Sequence, residues 1–505
     1  MRPLLGVALL ILVEAGCRPA PPPKPDFPAG AAFQRLRADL SFLAADALEG
    51  RGTPSRGLDV AAQYLEAQLR VAGVRPGLPD GYQQTYRIGE YVPAQARVTV
   101  KIAGRVIPPA DYVFVNFGRD PAAGPLDAEL VNAGFGVVAE EKSVNDLDGL
   151  ALRGSAVMAR KGAGWPLDAG AVFGWDRAVG KTLAATARGA QLLVYASPDL
   201  DKGDQEAGFF AQMRNVPVGF VREPGLGPGG QAASALNPIL VITPKALAAA
   251  LGTDVEKLAR GPLGKRIEIR IDAAVRDGRA SNVLGRIEGT NPGLRDQWIV
   301  LTAHYDHLGA NPAALAGQDG VWNGADDNAS GTVVVLEMAR RLAAWRSHRS
   351  VLLLFTSGED RGIFGSAVYS VRPAVPMEKV VLNINVDMVG RSRGQVQAIA
   401  DGTPALFEYV ARIGRDHGIE VVPDQQPSWR VSYLTDCYHF LRAGVPAIEF
   451  FTGLHADYHQ PSDTADKIRY EEMAKILEIA SGLAAHYGEG AAKPAFRRPV
   501  WFVTP

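Results

Sequence analysis

Cysteine is almost absent: among 505 residues only Cys17 and Cys437 carry a thiol. A disulfide framework is therefore excluded, and a chain of this length can bury enough apolar surface to do without one. Net charge is lacking as well, with 53 Lys and Arg against 54 Asp and Glu and a formal charge of −1. There is no run of like charges, so nothing points to nucleic acid or an acidic membrane surface as a partner. There is no internal repeat. The early apolar stretch from Leu4 to Val13 is too short to span a bilayer as a mature helix. What is plentiful is glycine (55) and proline (35), which implies many loops, within an ordinary globular mix that is 47% apolar and 21% charged. Length alone suggests about three structural units.

Read in order, residues 1–17 have the grammar of an export signal, with Arg2 ahead of the apolar stretch. Ala15-Gly16-Cys17 resembles the end of a bacterial lipobox, although Glu14 stands where an aliphatic residue is usual. The expectation is an exported protein, either a cell-envelope lipoprotein anchored through lipid on Cys17 or a secreted one. Residues 18–30 are a stiff proline-rich spacer. Residues 31–124 would form the first part of the catalytic domain. Two amphipathic helices lie within 31–73, with Gly73 as a stop, and two or three strands within 97–118. The loop LEGRGTPSRG between the helices is a connector or a rim of the active site. In 125–256, short strands surround the helical segment WDRAVGKTLAATARG, and LRGSAVMARKG, the helix and GAQLLVYAS together resemble a protease-associated domain. That resemblance implies a small β-rich α+β insert beside the catalytic sheet. From 257 to 490, near-continuous apolar strands alternate with amphipathic helices, the pattern of a doubly wound, mostly parallel α/β sheet covered on both faces. Residues 491–505 have no periodicity and read as a tail.

The candidate chemistry falls at the ends of those strands. His304 follows WIVLTA, Asp327 sits in GADDNASG, Glu359 and Asp360 follow VLLLFTSG, Asp387 ends VVLNINVD, and His459 lies in the loop after VPAIEFF. Open α/β sheets bind ligands in the crevice beyond the carboxyl ends of their strands. Taken singly, each aspartate reads as a helix cap or turn residue, and each histidine as an ordinary surface or hydrogen-bonded one. Coincidence at five strand ends is harder to explain that way. Two histidines with three carboxylates suit two divalent ions, zinc first. If one carboxylate bridges, each ion receives one histidine, one carboxylate and the shared group.

The motifs HYDHLG, GADDNASG, TSGEDRGIFGS, NVDMVG and FTGLHADYHQPSDT resemble, in the same order, the two-zinc exopeptidases that include bacterial aminopeptidases and glutamate carboxypeptidase. The resemblance implies a zinc-exopeptidase fold and the hydrolysis of peptides by a bridging hydroxide. It implies that His304 and Asp387 hold one zinc, that Asp360 and His459 hold the other, and that Asp327, rather than Asp326, bridges. Glu359 would be the general base, and Asp306 would fix the tautomer of His304. Tyr458 would stabilise the oxyanion, and the Asp327–Asn328 peptide would be cis. Two positions depart from the family pattern: Asp360 stands where Glu is usual, one methylene shorter, and Cys437 stands where His often follows Ser/Thr-Asp. The leading expectation is an exported zinc aminopeptidase acting on peptides. A carboxypeptidase or dipeptidase on the same scaffold would need a basic pocket for the substrate carboxylate, and no arginine cluster is evident in the motifs. A glutaminyl cyclase, typically with one zinc, and a non-catalytic peptidase-like binding module are further alternatives.

Overall fold

The apolar runs that follow residue 297 become four strands at the centre of one sheet: β1 (Trp298–His304), β2 (Ser350–Thr356), β3 (Val380–Val386) and β4 (Ala447–Phe451). In β2 and β3 every residue is buried, as expected of strands covered on both faces. The computed structural model describes residues 29–164, 174–200, 205–213, 217–226, 236–311, 318–499 and 502. The expected signal, Cys17 and nearly all of the spacer lie outside the described residues, and Ala29 and Gly30 already belong to the first helix, Ala29–Leu43. Among the described residues no helix is long and apolar enough to cross a membrane.

Across the sheet the order is Val218–Val221, Gln83–Tyr91, Arg276–Ile287, β2, β1, β3, β4, Gln395–Ile399 and Glu420–Val422. Pairing is parallel from β2 through β1 and β3 to β4. It is antiparallel from Val218–Val221 to β2 and between β4 and Gln395–Ile399. The sheet is therefore mixed rather than mostly parallel. The four central strands and the edge pair Gln395–Ile399 and Glu420–Val422 are parallel neighbours with a helical connection, whereas Gln83–Tyr91 and Arg276–Ile287 pair antiparallel.

A second, eight-stranded sheet runs Arg105–Val106, Arg97–Ile102, Gly261–Asp272, Leu126–Asn132, Ala156–Arg160, Leu192–Ala196, Ile239–Ile242 and Tyr112–Val115. It takes in strands on both sides of the expected 125–256 segment. Residues 97–115 and 261–272 belong here, while Val218–Val221 leaves to edge the first sheet. One face of the second sheet shares an apolar cluster with Ile363, Tyr433, Cys437 and Tyr438, placing it against the loops at the mouth of the first sheet.

The helix Arg56–Val71 starts where Ser55 Oγ accepts the Leu58 N–H at 3.1 Å, and the chain leaves it through Gly73 in the left-handed conformation (φ 73°). Two of the described residues in the 491–505 stretch are held against the fold. Arg497 N–H donates to the Gly402 carbonyl, and Phe502 is buried against the rings of Tyr433 and Tyr438.

Candidate metal centre

The parallel register brings three strand ends together. β1 terminates in His304, and the following Tyr305 N–H donates to Thr356 O at the end of β2. Asp387 lies one residue past β3, its N–H held by Phe450 O of β4 at 3.0 Å. Glu359 and Asp360 sit in the turn after β2, where Glu359 N–H donates to Asp306 Oδ1 at 3.2 Å. His459 arrives on the loop after β4. That loop is braced at Asp457, whose Oδ1 accepts from Lys467 Nζ at 2.7 Å and whose Oδ2 accepts from Arg391.

Asp327 is positioned by the backbone around it. Asp463 Oδ2 accepts both the Asp326 and the Asp327 N–H, at 2.8 and 3.1 Å. The Asn328 side chain ties the same turn to β3, donating to Val386 O and accepting from Met388 N. The Asp327–Asn328 peptide is cis. Gly324 is required just before: its φ is 57°, and a Cβ there would meet the His307 ring at 2.6 Å and the Asp327 carbonyl at 2.1 Å. The two adjacent aspartates then part company. Asp326 is taken up by the Gly390 N–H and by His455 Nε2, at 2.6 and 3.1 Å. Asp327 Oδ1 instead lies 3.3 Å from His304 Nε2, and Oδ2 lies 3.2 Å from His459 Nε2.

Two His/carboxylate clusters share this residue: His304, Asp327 and Asp387, and His307, Asp327 and Asp360. In the first, His304 Nε2 is 3.5 Å from Asp387 Oδ1. In the second, His459 Nε2 stands 3.2 Å from Asp360 Oδ1, and His307 Nδ1 stands 2.8 Å from Asp360 Oδ2. Glu359 Oε2 is 3.9 Å from His304 Nε2, beside the first cluster rather than in it. Asp306 Oδ1 is 3.6 Å from His304 Nδ1, longer than a hydrogen bond, and its other oxygen accepts from Thr53 Oγ1 at 2.9 Å. The Tyr458 ring lies flat on His459 with centroids 3.8 Å apart. Cys437, by contrast, is a free thiol packed into the apolar core.

The electrostatics follow from crowding charged groups without water. Burial pulls His459 down, but Asp327 and Asp360 outweigh it and lift the imidazole to about 10. Burial also opposes the charge on His304, and Asp387 and Glu359 push it well above its ordinary range. Burial and Asp360 would raise Asp327, yet His307, His304 and His459 hold it well below. Asp360 is kept low against burial by His307 and His459. Glu359 is pushed the other way, well up, chiefly by burial. Burial raises Asp387 as well, so the same cleft contains carboxylates held low, Asp327 and Asp360, beside two that are pushed up, Glu359 and Asp387, the kind of separation found where acid–base work is done.

Two residues were not assigned from the sequence. His307 carried no distinguishing signal beyond its place in HYDH. Arg51, in the loop read as a connector or rim, is buried beneath the site. Its guanidinium donates to the carbonyls of Tyr305 (2.8 Å), Asn323 (2.7 Å), Gly324 (2.9 Å) and Leu43. Burial lowers it only to about 10, with Asp306 and Asp327 opposing the shift, so it remains a cation. A cavity of about 310 Å³, lined in part by Gln395, Gln397, Gln425, Trp429 and Leu454, opens at this end of the sheet. Its wall residue Thr452 donates to Met388 O, one residue past Asp387.

Comparison with known proteins places residues 282–484 in a match to the family model described as Peptidase family M28. The chain is 26% identical over 204 residues to aminopeptidase YwaD of Bacillus subtilis, covering 39% of this chain and 42% of that protein. It is 33% identical over 134 residues to a probable zinc metalloprotease of Pyrenophora tritici-repentis, covering 25% and 27%. It thus spans less than half the length of these curated relatives. Among solved structures, an aminopeptidase from Aneurinibacillus sp. strain AM-1 superposes with a TM-score of 0.49 at 19% identity, over 93% of this chain and 96% of that one.

Proposed function

We propose that this chain is a zinc-dependent aminopeptidase that removes N-terminal residues from peptides. The observation that carries the proposal is the division of the Asp327 carboxylate, one oxygen 3.3 Å from His304 and the other 3.2 Å from His459. Donors around one tetrahedral zinc lie about 3.3 Å apart, given Zn–N and Zn–O bonds of ~2.0–2.1 Å. The spacings among His304, Asp327 and Asp387, and of His459 to Asp327 and to Asp360, fit two such ions. Asp327 Oδ2 is also buried with no hydrogen-bond partner, an acceptor that a cation would satisfy. In this reading His304 and Asp387 hold one zinc, Asp360 and His459 hold the other, and Asp327 serves both.

Bound zinc supplies Lewis-acid chemistry, acidifying a water and polarising the scissile carbonyl. Glu359, close to His304 and raised by burial, takes the proton of the attacking water and passes it to the leaving amine. Asp306, 3.6 Å from His304 Nδ1, would act on that ring through its charge, and Tyr458, stacked on His459, would stabilise negative charge on the substrate carbonyl. The substrate's free α-amine would be held at this end of the sheet, and its side chain would enter the glutamine-lined cavity, whose lining presents no formal charge and suits uncharged residues. An aminopeptidase is preferred to a carboxypeptidase because the arginines near the site are engaged. Arg51 and Arg361 serve backbone carbonyls, and Arg391 serves Asp457. The second sheet, read as a protease-associated insert, borders the mouth and shapes substrate access. Export and lipidation at Cys17 complete the proposal, and release from the membrane fraction by Cys17→Ala is its check.

The deciding experiment is a panel of aminoacyl-nitroanilides and N-blocked peptides, assayed with zinc and with chelator. Free-amine substrates alone should be cleaved, and only with metal. Glu359→Gln should keep two ions yet lose about 10²-fold or more in kcat; a near-normal kcat would end the assignment of the base.

A further inference from the structure

We propose that His307 is a positioning residue that ties down one oxygen of Asp360, so that this aspartate meets the second ion through its other oxygen alone. The proposal rests on the two-ion reading above. The two Asp360 oxygens face different imidazoles: Oδ1 is 3.2 Å from His459 Nε2, whereas Oδ2 is 2.8 Å from His307 Nδ1. A separation of 2.8 Å is that of a charge-assisted N–H···O hydrogen bond. It is shorter than the roughly 3.3 Å between two donors on one tetrahedral zinc. Asp327 Oδ2, at 3.7 Å from the same nitrogen, is too far to compete. His307 Nε2 is buried without a hydrogen-bond partner, so a single ring proton belongs on Nδ1, where an acceptor waits.

The imidazole is also held still. His307 is fully buried, its backbone N–H donates to Arg51 O at 3.2 Å, and Gly324 comes so close that a Cβ there would lie 2.6 Å from its ring. Arg51 in turn grips Tyr305, Asn323 and Gly324, the residues flanking both clusters. A rigid donor therefore meets a side chain one methylene shorter than glutamate, which has little freedom to chelate with both oxygens. The fixed Nδ1–H chooses which oxygen the ion receives, as partners of metal ligands do.

The test is zinc titration of the metal-stripped full chain against a chelator of known affinity, with a thermal melt of each variant. Wild type should take up two ions. His307→Leu keeps most of the ring's bulk without a donor, and His307→Ala is a second donorless variant. Each should weaken one ion by about 10–100-fold and leave the other within about threefold. His307→Asn, whose amide N–H replaces the ring N–H, should restore most of the loss. Combining Asp360→Glu with His307→Leu should do the same, because the longer carboxylate no longer needs the tie. Zinc X-ray absorption should count the same nitrogen donors in wild type and His307→Asn. If both donorless variants bind both ions as wild type does, the positioning role is overturned while the two-ion reading stands. Failure of His307→Asn with loss of one nitrogen donor would make His307 a ligand and overturn it too. Wild type binding fewer than two ions overturns both.

Discussion

Loading the site with zinc at pH 8 should expel at least two protons per chain. The metal-free cleft holds His459 at about 10, because Asp327 and Asp360 outweigh burial. His304 lies well above its ordinary range for the same kind of reason, through Asp387 and Glu359. An imidazole at about 10 is ~99% protonated at pH 8, whereas an ordinary one near 6.5 is only ~3% protonated. A ring nitrogen that donates its lone pair to a cation cannot keep that proton. His459 alone therefore releases about one proton, against ~0.03 if it were ordinary, the raised His304 adds to the count in the same direction, and a water acidified by the ions adds about one in either case. Calorimetric titration in buffers of different ionisation enthalpy gives the count directly as a slope. A count near one, the value that ordinary imidazoles plus the water would give, would refute the electrostatic argument. The same argument makes the combined affinity for the two ions rise with pH in the neutral range, by about tenfold per pH unit for each proton released, the His459 share flattening towards pH 10.

Other outcomes follow from the same geometry. In the metal-free protein the raised pKa of His459 adds stability that is complete below about 6.5. That stability is lost as pH rises through about 10, so the urea midpoint of the stripped chain should fall from pH 7 to alkaline pH more steeply than that of the zinc-loaded chain. Arg51→Met leaves four buried carbonyls without their donor and should cost about 3–5 kcal/mol in urea unfolding; a cost below about 1 kcal/mol would show that the guanidinium is dispensable. Asp463→Ala orphans the Asp326 and Asp327 N–H groups and should cost about 2–3 kcal/mol and loosen zinc. Asp463→Asn, keeping one acceptor, should lie between it and wild type, and equal loss in both variants would contradict the hydrogen-bond account.

Much of the fold was legible because its signals are local. WIVLTA, VLLLFTS and VVLNINV are apolar throughout, and that continuity reports burial on two faces wherever the strands pair. What it does not report is the neighbour. Gln83–Tyr91 and Arg97–Ile102 follow one another closely in the chain, yet one belongs to the first sheet and the other to the second. The second sheet accordingly draws strands from both sides of the 125–256 stretch, since pairing is a long-range choice. The helix Pro244–Leu251 went unread although its ends are written plainly: Thr243 caps it, Pro244 opens it and Gly252 closes it. Arg51 could not be recognised as a buried brace, because the four carbonyls it serves come from three separate stretches of chain.

By itself the sequence named most of the side chains that meet in the candidate centre, but not His307. Histidines and carboxylates placed just past the ends of parallel strands gather at one end of a sheet, and apolar continuity marks such strands. The sequence could not determine which oxygen faces which imidazole. Asp326 and Asp327 are chemically identical neighbours, and only the folded backbone sends one to Gly390 and His455 and the other between His304 and His459. The same holds for His307 and Asp360, 53 residues apart, whose hydrogen bond exists only because the turn after β2 folds back over the end of β1. Composition and periodicity act through nearest neighbours along the chain, whereas these distances are set by packing between elements that meet only once the core has formed.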